Sequence, residues 1–302
     1  MNLLLTRKLL GLSLCFLLLL TLLPYPSFSA KGHLNANGNC NCVVFRLDDI
    51  PYDRPIYDES RINIDLAILN VFIERNQPLS VALVMHYIDR NPILLKNIVD
   101  GYSKGLFELA LHGWDHADYS KLSEGKQQHS LSKANKKMQQ LFGKPSNIFI
   151  PPYTLFNDST LTAMKKLGIS IFSSEVGTDN YTYFLQNQTR KHDHIYHVPQ
   201  MASFETWQGQ IPVRIPIKQI LKDVDINIAK YGYAIITLHP QSFVKFKEGL
   251  QNDQNATSEF REVQRGVQVL DEHQIDNLQA LIESILAKNL RITSFSNLVG
   301  TQ

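Results

Sequence analysis

Short apolar runs alternate with longer amphipathic or polar stretches along the chain from residue 43 onward. Apolar runs rich in β-branched and aromatic residues are typical of buried strands, whereas apolar residues with a period of 3.6 are typical of helices. Strands that alternate with helices predict a parallel sheet with right-handed crossovers. About seven such units in roughly 270 residues fit a closed or nearly closed barrel. We therefore predict an α/β fold, a single distorted (β/α) barrel of about seven strands. The predicted strands are residues 43–47, 79–85, 107–111, 148–150, 169–173, 196–199, 234–238 and 291–293.

The first 29 residues have the pattern of a secretory signal. Arg7 and Lys8 precede an apolar run over residues 9–23, and small residues at 27 and 29 suit cleavage after residue 29. An uncleaved membrane anchor is the alternative, although about 15 apolar residues are fewer than the roughly 20 that span a bilayer. We predict a secreted or cell-surface protein with a signal peptide at 1–29, a flexible polar leader at 30–42 and a barrel domain at 43–302. A membrane is expected as a partner only if the signal stays uncleaved.

The charge balance argues against nucleic acid as the main partner. Setting aside Arg7 and Lys8 from the 30 basic residues leaves 28, against 28 acidic residues that all come later. A neutral chain lacks the basic excess on which phosphate-backbone binding depends.

Two groups of metal-binding residue types give weak signals. Cys40 and Cys42 are the only cysteines after the signal, and a bridge between residues so close would be strained. Free thiols or an intermolecular pair remain open. His192, His194 and His197 form a dense cluster, for which we favour a solvated loop over a metal site.

Polar residues follow four of the predicted strands. They are Asp48 and Asp49, His112 and His116, Tyr153, and His239. The strands of a parallel barrel end on one face, so these side chains are expected to converge. Two adjacent carboxylates in a confined site raise each other's pKa, and a bound cation would offset that cost. The alternative for the aspartates is a pair of turn residues ahead of a proline.

The spacing of His112 and His116 suggests a metal site. The two histidines are four residues apart, and on a helical turn this spacing would place both imidazoles on one face. With one aspartate they make a two-histidine, one-carboxylate set, which is common for a catalytic divalent metal. Two solvated loop histidines are the alternative, and the upstream aspartate pair favours the metal site.

These motifs, in this order, resemble those of the polysaccharide deacetylase superfamily, carbohydrate esterase family 4. The resemblance covers roughly residues 43–296 and is closest to a divergent branch. It implies that Asp49, His112 and His116 hold a divalent metal, with zinc expected, and that Asp48 is the general base. It also implies that the backbone N–H of Tyr153 stabilises the oxyanion and that His239 is the general acid. His239 as a residue that only caps the sheet is the alternative.

The chain departs from the family pattern at the third motif, and in the last motif the leucine is displaced, in Thr237-Leu238-His239. Ile150 stands where the family has the arginine that orients the catalytic aspartate, and the aspartate that usually accompanies that arginine has no clear match. Arg46 lies two residues before Asp48 on the same strand face and is a possible substitute. A charge at a strand edge is the other interpretation of Arg46.

Four further residues have a functional and a structural interpretation. Glu108 and Asp115 could orient the metal histidines as outer acceptors, and Asp115 could instead be a turn residue. Trp114 and Trp207 could stack on a sugar ring or belong to the core.

The function predicted from the sequence is a secreted, metal-dependent hydrolase that removes N-acetyl groups from an amino-sugar polymer or glycan. The first alternative is a carbohydrate-binding surface protein that has lost catalysis with the missing arginine. The second is a hydrolase of a non-sugar amide on the same scaffold. An open, aromatic pocket would favour a polymer, and a closed, polar pocket a small amide.

Overall fold

A computed structural model describes residues 40–51, 59–179, 194–208, 211–246 and 268–300. The predicted signal peptide and most of the predicted leader therefore lie outside the described residues, as does His192. The helices are α1 Glu59–Glu74, α2 Pro92–Ser103, α3 Glu124–Phe142, α4 Asp158–Lys166, α5 Ile217–Tyr231, α6 Glu272–Ala287 and α7 Phe295–Val299. The strands are β1 Cys42–Ile50, β2 Leu79–Leu83, β3 Phe107–Leu111, β4 Ile148–Phe149, β5 Ile171–Phe172, β6 Tyr196–His197, β7 Ala202–Ser203, β8 Glu205–Gln208, β9 Ile211–Arg214, β10 Tyr233–Leu238, β11 Val244–Phe246, β12 Gln268–Leu270 and β13 Arg291–Thr293.

The main sheet contains nine of these strands, and all the pairings within it are parallel. The order is β6-β5-β4-β3-β2-β1-β10-β7, and β13 also pairs with β1. The sheet curls into a half-barrel with flanking helices, which confirms the predicted α/β barrel class. The sheet has nine strands rather than about seven. All eight predicted ranges contain a strand of this sheet, and the short strand β7, which pairs with β10, was not predicted.

Alternate residues of each strand enter two separate apolar clusters. On β1, Val43, Phe45 and Leu47 pack with the flanking helices, while Cys42 and Val44 pack inside the curl of the sheet. Since both faces are covered, the strands are almost entirely apolar. A polar side chain on the inner face is therefore surrounded by protein. The polar groups predicted to form the site lie at the carboxyl ends of these strands.

The amino-terminal end of β1 carries an unexpected covalent link. Cys40 and Cys42 form a disulfide, so the expectation of free or intermolecular thiols is wrong. Asn41 between them has a φ of 46°, a left-handed conformation that brings the two Cα atoms within 5.1 Å. A separation of that size is within the range that a disulfide bridges.

Within the part of the chain that the structure describes, no helix combines the length and apolar character needed to cross a bilayer.

Candidate active site

The end of β1 turns both aspartates toward one site. Successive side chains on a regular strand point to opposite faces, so adjacent aspartates would normally diverge. The pairing of β1 with β2 shifts register between Leu47 and Ile50, and Asp49 has a φ of 66°. This irregularity lets Asp48 and Asp49 contact two different parts of the same site.

Asp49 meets the two predicted histidine ligands. Its Oδ1 lies 3.3 Å from His112 Nε2 and 2.7 Å from His116 Nε2. One ligand atom from each of the three residues lies within 4.8 Å of the others, close enough to share one ion. The structure thus brings the three predicted ligands together, although they are far apart in sequence.

The histidines adopt this arrangement without the predicted helical turn. Residues 112–118 form a bend rather than a helix, so the predicted local structure is wrong. Gly113 and His116 have φ values of 77° and 64°, which turn the loop back on itself and leave the two ring centroids 4.9 Å apart. A Cβ on Gly113 would also lie only 3.1 Å from the Tyr119 ring, so both conformation and space favour glycine there.

Hydrogen bonds from neighbouring groups orient the ligand atoms of His112 and Asp49 toward a common point where a cation could bind. His112 Nδ1 lies 2.8 Å from the carbonyl oxygen of Ile150, which can only accept a hydrogen bond, so Nδ1 carries the proton. Nε2 then keeps its lone pair and can coordinate a metal. Gln241 donates from Nε2 to Asp49 Oδ2 at 2.9 Å, which leaves Oδ1 facing the histidines. One carboxylate oxygen and imidazole nitrogen suit a divalent transition metal, so the residues present fit the group that the resemblance implies.

Asp48 is paired with Arg46 instead of with the metal ligands. Arg46 Nε donates to Oδ1 and Oδ2 at 2.8 and 3.0 Å, and Nη2 also donates to Oδ2. Burial by itself raises the pKa of Asp48, but the charge and hydrogen bonds of Arg46 outweigh it, and the pKa lies below the usual value. Asp48 is therefore ionised and able to accept a proton.

His239 follows β10 and has a buried carboxylate partner that the sequence did not suggest. Its Nδ1 pairs with Glu205 Oε1, and Ser242 Oγ donates to Glu205 Oε2 at 2.6 Å. Burial lowers the pKa of His239, but Glu205 first, then Asp48 and Asp49, outweigh burial and raise it to about 9. His239 Nε2 faces Asp48 Oδ2 at 3.8 Å, so a protonated histidine and an ionised carboxylate share the site.

Two exposed aromatic rings lie against site histidines. Tyr153 is 60% exposed, and its ring packs on His116 with centroids 4.6 Å apart. Trp207 is 43% exposed and meets His239 edge to face at 5.8 Å. Tyr153 has a φ of 59° within the short 3-10 turn Pro152–Thr154. The predicted oxyanion residue is thus adjacent to the metal-ligating histidines.

Glu108 does not orient the histidines, contrary to expectation. Its carboxylate accepts hydrogen bonds from the backbone N–H groups of Phe295 and Ser296 at 2.8 and 2.9 Å, and from Ser80 Oγ at 3.0 Å. Glu108 and His112 share a strand face, but four residues of strand separate them by about 13 Å. Same-face spacing was therefore not enough to place Glu108 at the site.

The interpretation of the remaining polar and aromatic residues is also resolved. Asp115 is exposed in the bend, as a turn residue would be. Trp114 is partly buried and packs against the larger apolar cluster, between His86 at 5.0 Å and Lys133, whose Nζ is 4.1 Å from the ring centroid, which fits the core interpretation. His197 is buried in β6 against Asp179 at 2.9 Å, so the solvated-loop interpretation is wrong for this histidine.

The fold and the site together define a class of protein. It is an α/β half-barrel with an Asp-His-His donor set, a paired carboxylate and a carboxylate-linked histidine at the carboxyl ends of its strands. A family model described as polysaccharide deacetylase matches residues 35–172, a range that contains Asp48, Asp49, His112, His116 and Tyr153. No curated protein matches the chain.

Solved structures of family 4 carbohydrate esterases share this fold. A family 4 carbohydrate esterase from Bacillus anthracis is 16% identical, with a TM-score of 0.51, over 87% of this chain and 84% of its own. A family 4 acetyl xylan esterase from Clostridium thermocellum, in complex with a cobalt ion, is 13% identical, with a TM-score of 0.51, over 86% and 90%. A CE4 family pseudoenzyme from Bacillus anthracis is 14% identical, with a TM-score of 0.52, over 86% of this chain and 65% of its own length.

The family match and the shared fold support the assignment of this chain to the polysaccharide deacetylase superfamily, as its motifs predicted. The superfamily supports a hydrolase of the deacetylase kind, and it includes pseudoenzymes with the same fold.

Proposed function

We propose that this protein is an exported, metal-dependent deacetylase that hydrolyses N-acetyl groups on an amino-sugar polymer or glycan. The observation that carries the proposal is that ligand atoms of Asp49, His112 and His116 lie close enough to share one ion. The ionised Asp48 and the protonated His239 lie beside each other in the same site. Binding alone would not require a base and an acid beside a metal-ligating set.

Asp49, His112 and His116 would hold the metal, with zinc expected from the resemblance. When bound, a divalent cation polarises the acyl oxygen and makes a coordinated water more acidic. The Ile150 carbonyl and Gln241 keep the donor atoms of His112 and Asp49 turned toward one another.

The chain's own groups then handle the protons and the developing charge. Asp48 accepts the proton of the attacking water as general base. The backbone N–H of Tyr153 donates to the developing oxyanion. His239, kept protonated by Glu205, gives a proton to the leaving amine. Each group thus performs one step, and the amine and acetate are released.

The surroundings of the site favour a sugar polymer as the substrate. Tyr153 and Trp207 are exposed next to the site histidines, and exposed aromatic rings provide flat apolar surfaces with a polar edge. An amino-sugar chain presents sugar faces to such rings while its acetyl group enters the site. Exposed aromatics fit a polymer better than a small cyclic amide.

Metal analysis together with acetate release tests the proposal. The purified protein and its His112→Ala variant are assayed for bound metal and for acetate from N-acetylated amino-sugar oligomers. We expect about one metal ion per chain and acetate release for the wild type, and loss of both for the variant.

The alternatives predict other outcomes. Stoichiometric metal and oligosaccharide binding without acetate release would support a carbohydrate-binding protein and overturn the deacetylase. Hydrolysis of small cyclic amides with no activity on oligomers would support the non-sugar alternative. A wild type that binds no divalent metal would overturn metal dependence.

A further inference from the structure

We propose that Arg46 is the positioning residue that orients Asp48, in place of the arginine that the family has where this chain has Ile150. The inference rests on the proposed function, because it concerns the base of that reaction. Arg46 and Asp48 are two residues apart on β1, and both point to the inner face of the sheet. Arg46 is fully buried and Asp48 is 2% exposed.

The guanidinium holds the plane of the Asp48 carboxylate. Arg46 Nε reaches Oδ1 at 2.8 Å and Oδ2 at 3.0 Å, while Nη2 donates to Oδ2 as well. Two donors on both oxygens fix the rotation of the carboxylate as well as its charge. Oδ2 is also the oxygen that lies 3.8 Å from His239 Nε2, so this rotation sets how the base faces the acid.

The other end of the guanidinium is anchored across the sheet. Nη1 donates to the carbonyl oxygen of Ser173 at 3.0 Å, to Ser173 Oγ at 3.1 Å and to the carbonyl oxygen of Ser174 at 3.1 Å. A long side chain held on both sides is a rigid support for the group that it contacts. Among the described residues Asp48 is the one carboxylate that contacts Arg46, so the buried charges balance.

The same contacts join the base to the turn that carries the oxyanion donor. Ser174 Oγ donates to the carbonyl oxygen of Thr154 at 2.7 Å. Tyr153 and Thr154 have φ values of 59° and 58°, a conformation that needs support from neighbouring groups. Arg46 therefore fixes Asp48 relative to the segment that holds Tyr153.

Ile150 is compatible with this arrangement. Its side chain is fully buried in the inner apolar cluster, and only its carbonyl oxygen takes part in the site, through His112. An arginine at this position in addition to Arg46 would bury a second positive charge without a second carboxylate. One guanidinium on Asp48 is enough, and β1 provides it.

The test compares variants of Arg46 with a control at another arginine. Arg46→Gln removes the charge, Arg46→Lys keeps it, and Arg75→Gln removes an arginine from a surface pair with Glu283. We expect Arg46→Gln to lower kcat about 100-fold with KM and bound metal unchanged, since small misplacement of a reacting group costs that much. Arg46→Lys should lose less, and Arg75→Gln should match the wild type. Because Arg46 acts through Asp48, adding Arg46→Gln to Asp48→Asn should not lower kcat further.

A folded, metal-loaded Arg46→Gln protein with wild-type kcat would overturn the inference. Loss of bound metal together with kcat would also overturn it, because the arginine would then support the metal site. If Arg46→Gln fails to fold, Arg46→Lys decides, because it keeps the charge but cannot contact both carboxylate oxygens in the same way: a lower kcat with KM and bound metal unchanged supports the inference, and wild-type kcat overturns it. An inactive wild type would overturn the proposed function and this inference with it, whereas an active wild type with an unaffected Arg46→Gln variant overturns this inference alone.

Discussion

Glu205→Gln should convert His239 from a protonated to a largely neutral side chain at neutral pH. The pKa of His239 is raised from 6.5 to about 9, and the charge and hydrogen bond of Glu205 are the largest causes that raise it. Glutamine keeps the size of the side chain but removes the charge. Without that charge, burial still lowers the pKa and only Asp48 and Asp49 raise it, so we expect the pKa to fall toward the ordinary value of 6.5. At a pKa of 6.5, only about one His239 in ten would be protonated at pH 7.5.

The expected effect on the reaction follows from the proposed role of His239 as a proton donor. A general acid must be protonated, so kcat falls as the pH rises through its pKa. We expect the alkaline limb of the kcat profile to move down by about two pH units in Glu205→Gln, with kcat about tenfold lower at pH 7.5. A bound divalent cation lowers the pKa of His239 in both proteins alike, so the difference between them remains.

The metal-free protein gives a second readout that does not depend on activity. Since the folded pKa of His239 lies above its unfolded value, the Glu205 pair stabilises the fold fully below about pH 6.5, and this contribution is lost as the pH rises through about 9. Its upper limit is about 3 kcal/mol. Wild type should therefore lose unfolding free energy across this pH range, and Glu205→Gln should not.

Proton NMR titration of His239, with Glu205→Asp as the charge-retaining control, measures the pKa directly. A His239 midpoint near 6.5 in the wild type would refute the reasoning, because Glu205 would then not be holding the proton. An unchanged alkaline limb in Glu205→Gln would remove His239 from the proposed role of general acid.

Three further predictions concern the metal and the substrate. A chelator should abolish acetate release and one equivalent of divalent metal should restore it, whereas Asp49→Asn should stay inactive and bind little metal in elemental analysis. Gln241→Ala should weaken metal affinity about 10–100-fold in a chelator competition, because Asp49 loses its outer hydrogen bond, while Gln219→Ala on the surface of α5 should leave the affinity unchanged. Trp207→Ala should raise KM for long oligomers with little change in kcat, and an unchanged KM would show that the exposed indole does not contact the sugar.

The part of the site that could be predicted from the sequence is the part carried by strand ends. Asp48, Asp49 and His112 directly follow or end apolar runs, and a parallel sheet brings such positions to one edge. The same reasoning misplaced Glu108, which lies on the inner face of β3 but at the opposite end of the strand. The strand pattern predicts which face of the sheet a residue occupies. The position of the residue along the strand also decides which groups it contacts, and the pattern alone does not weigh that.

Glu205 and Gln241 could not be predicted because neither stands at the end of an apolar run. Glu205 begins the β8–β9 hairpin, which pairs with no strand of the main sheet, and its histidine partner is 34 residues away. Gln241 lies in the short turn after His239, where glutamine is an ordinary surface residue. The sequence held one local signal for Gln241. The turn directly follows His239, which the motifs identify, so polar side chains in this turn are expected to lie near the site.

The position of Arg46 bears on how a missing motif residue should be interpreted. An isoleucine in place of a motif arginine predicts a pseudoenzyme only if no other residue brings a guanidinium to the same carboxylate. Arg46 and Asp48 occupy positions i and i+2 of one strand, so β1 alone places both side chains on the same face and within reach of each other. An arginine on another strand depends on the register and curvature of the sheet to reach the base. Proximity within one strand reduces that dependence, which is a physical reason for position 150 to be able to hold an apolar residue.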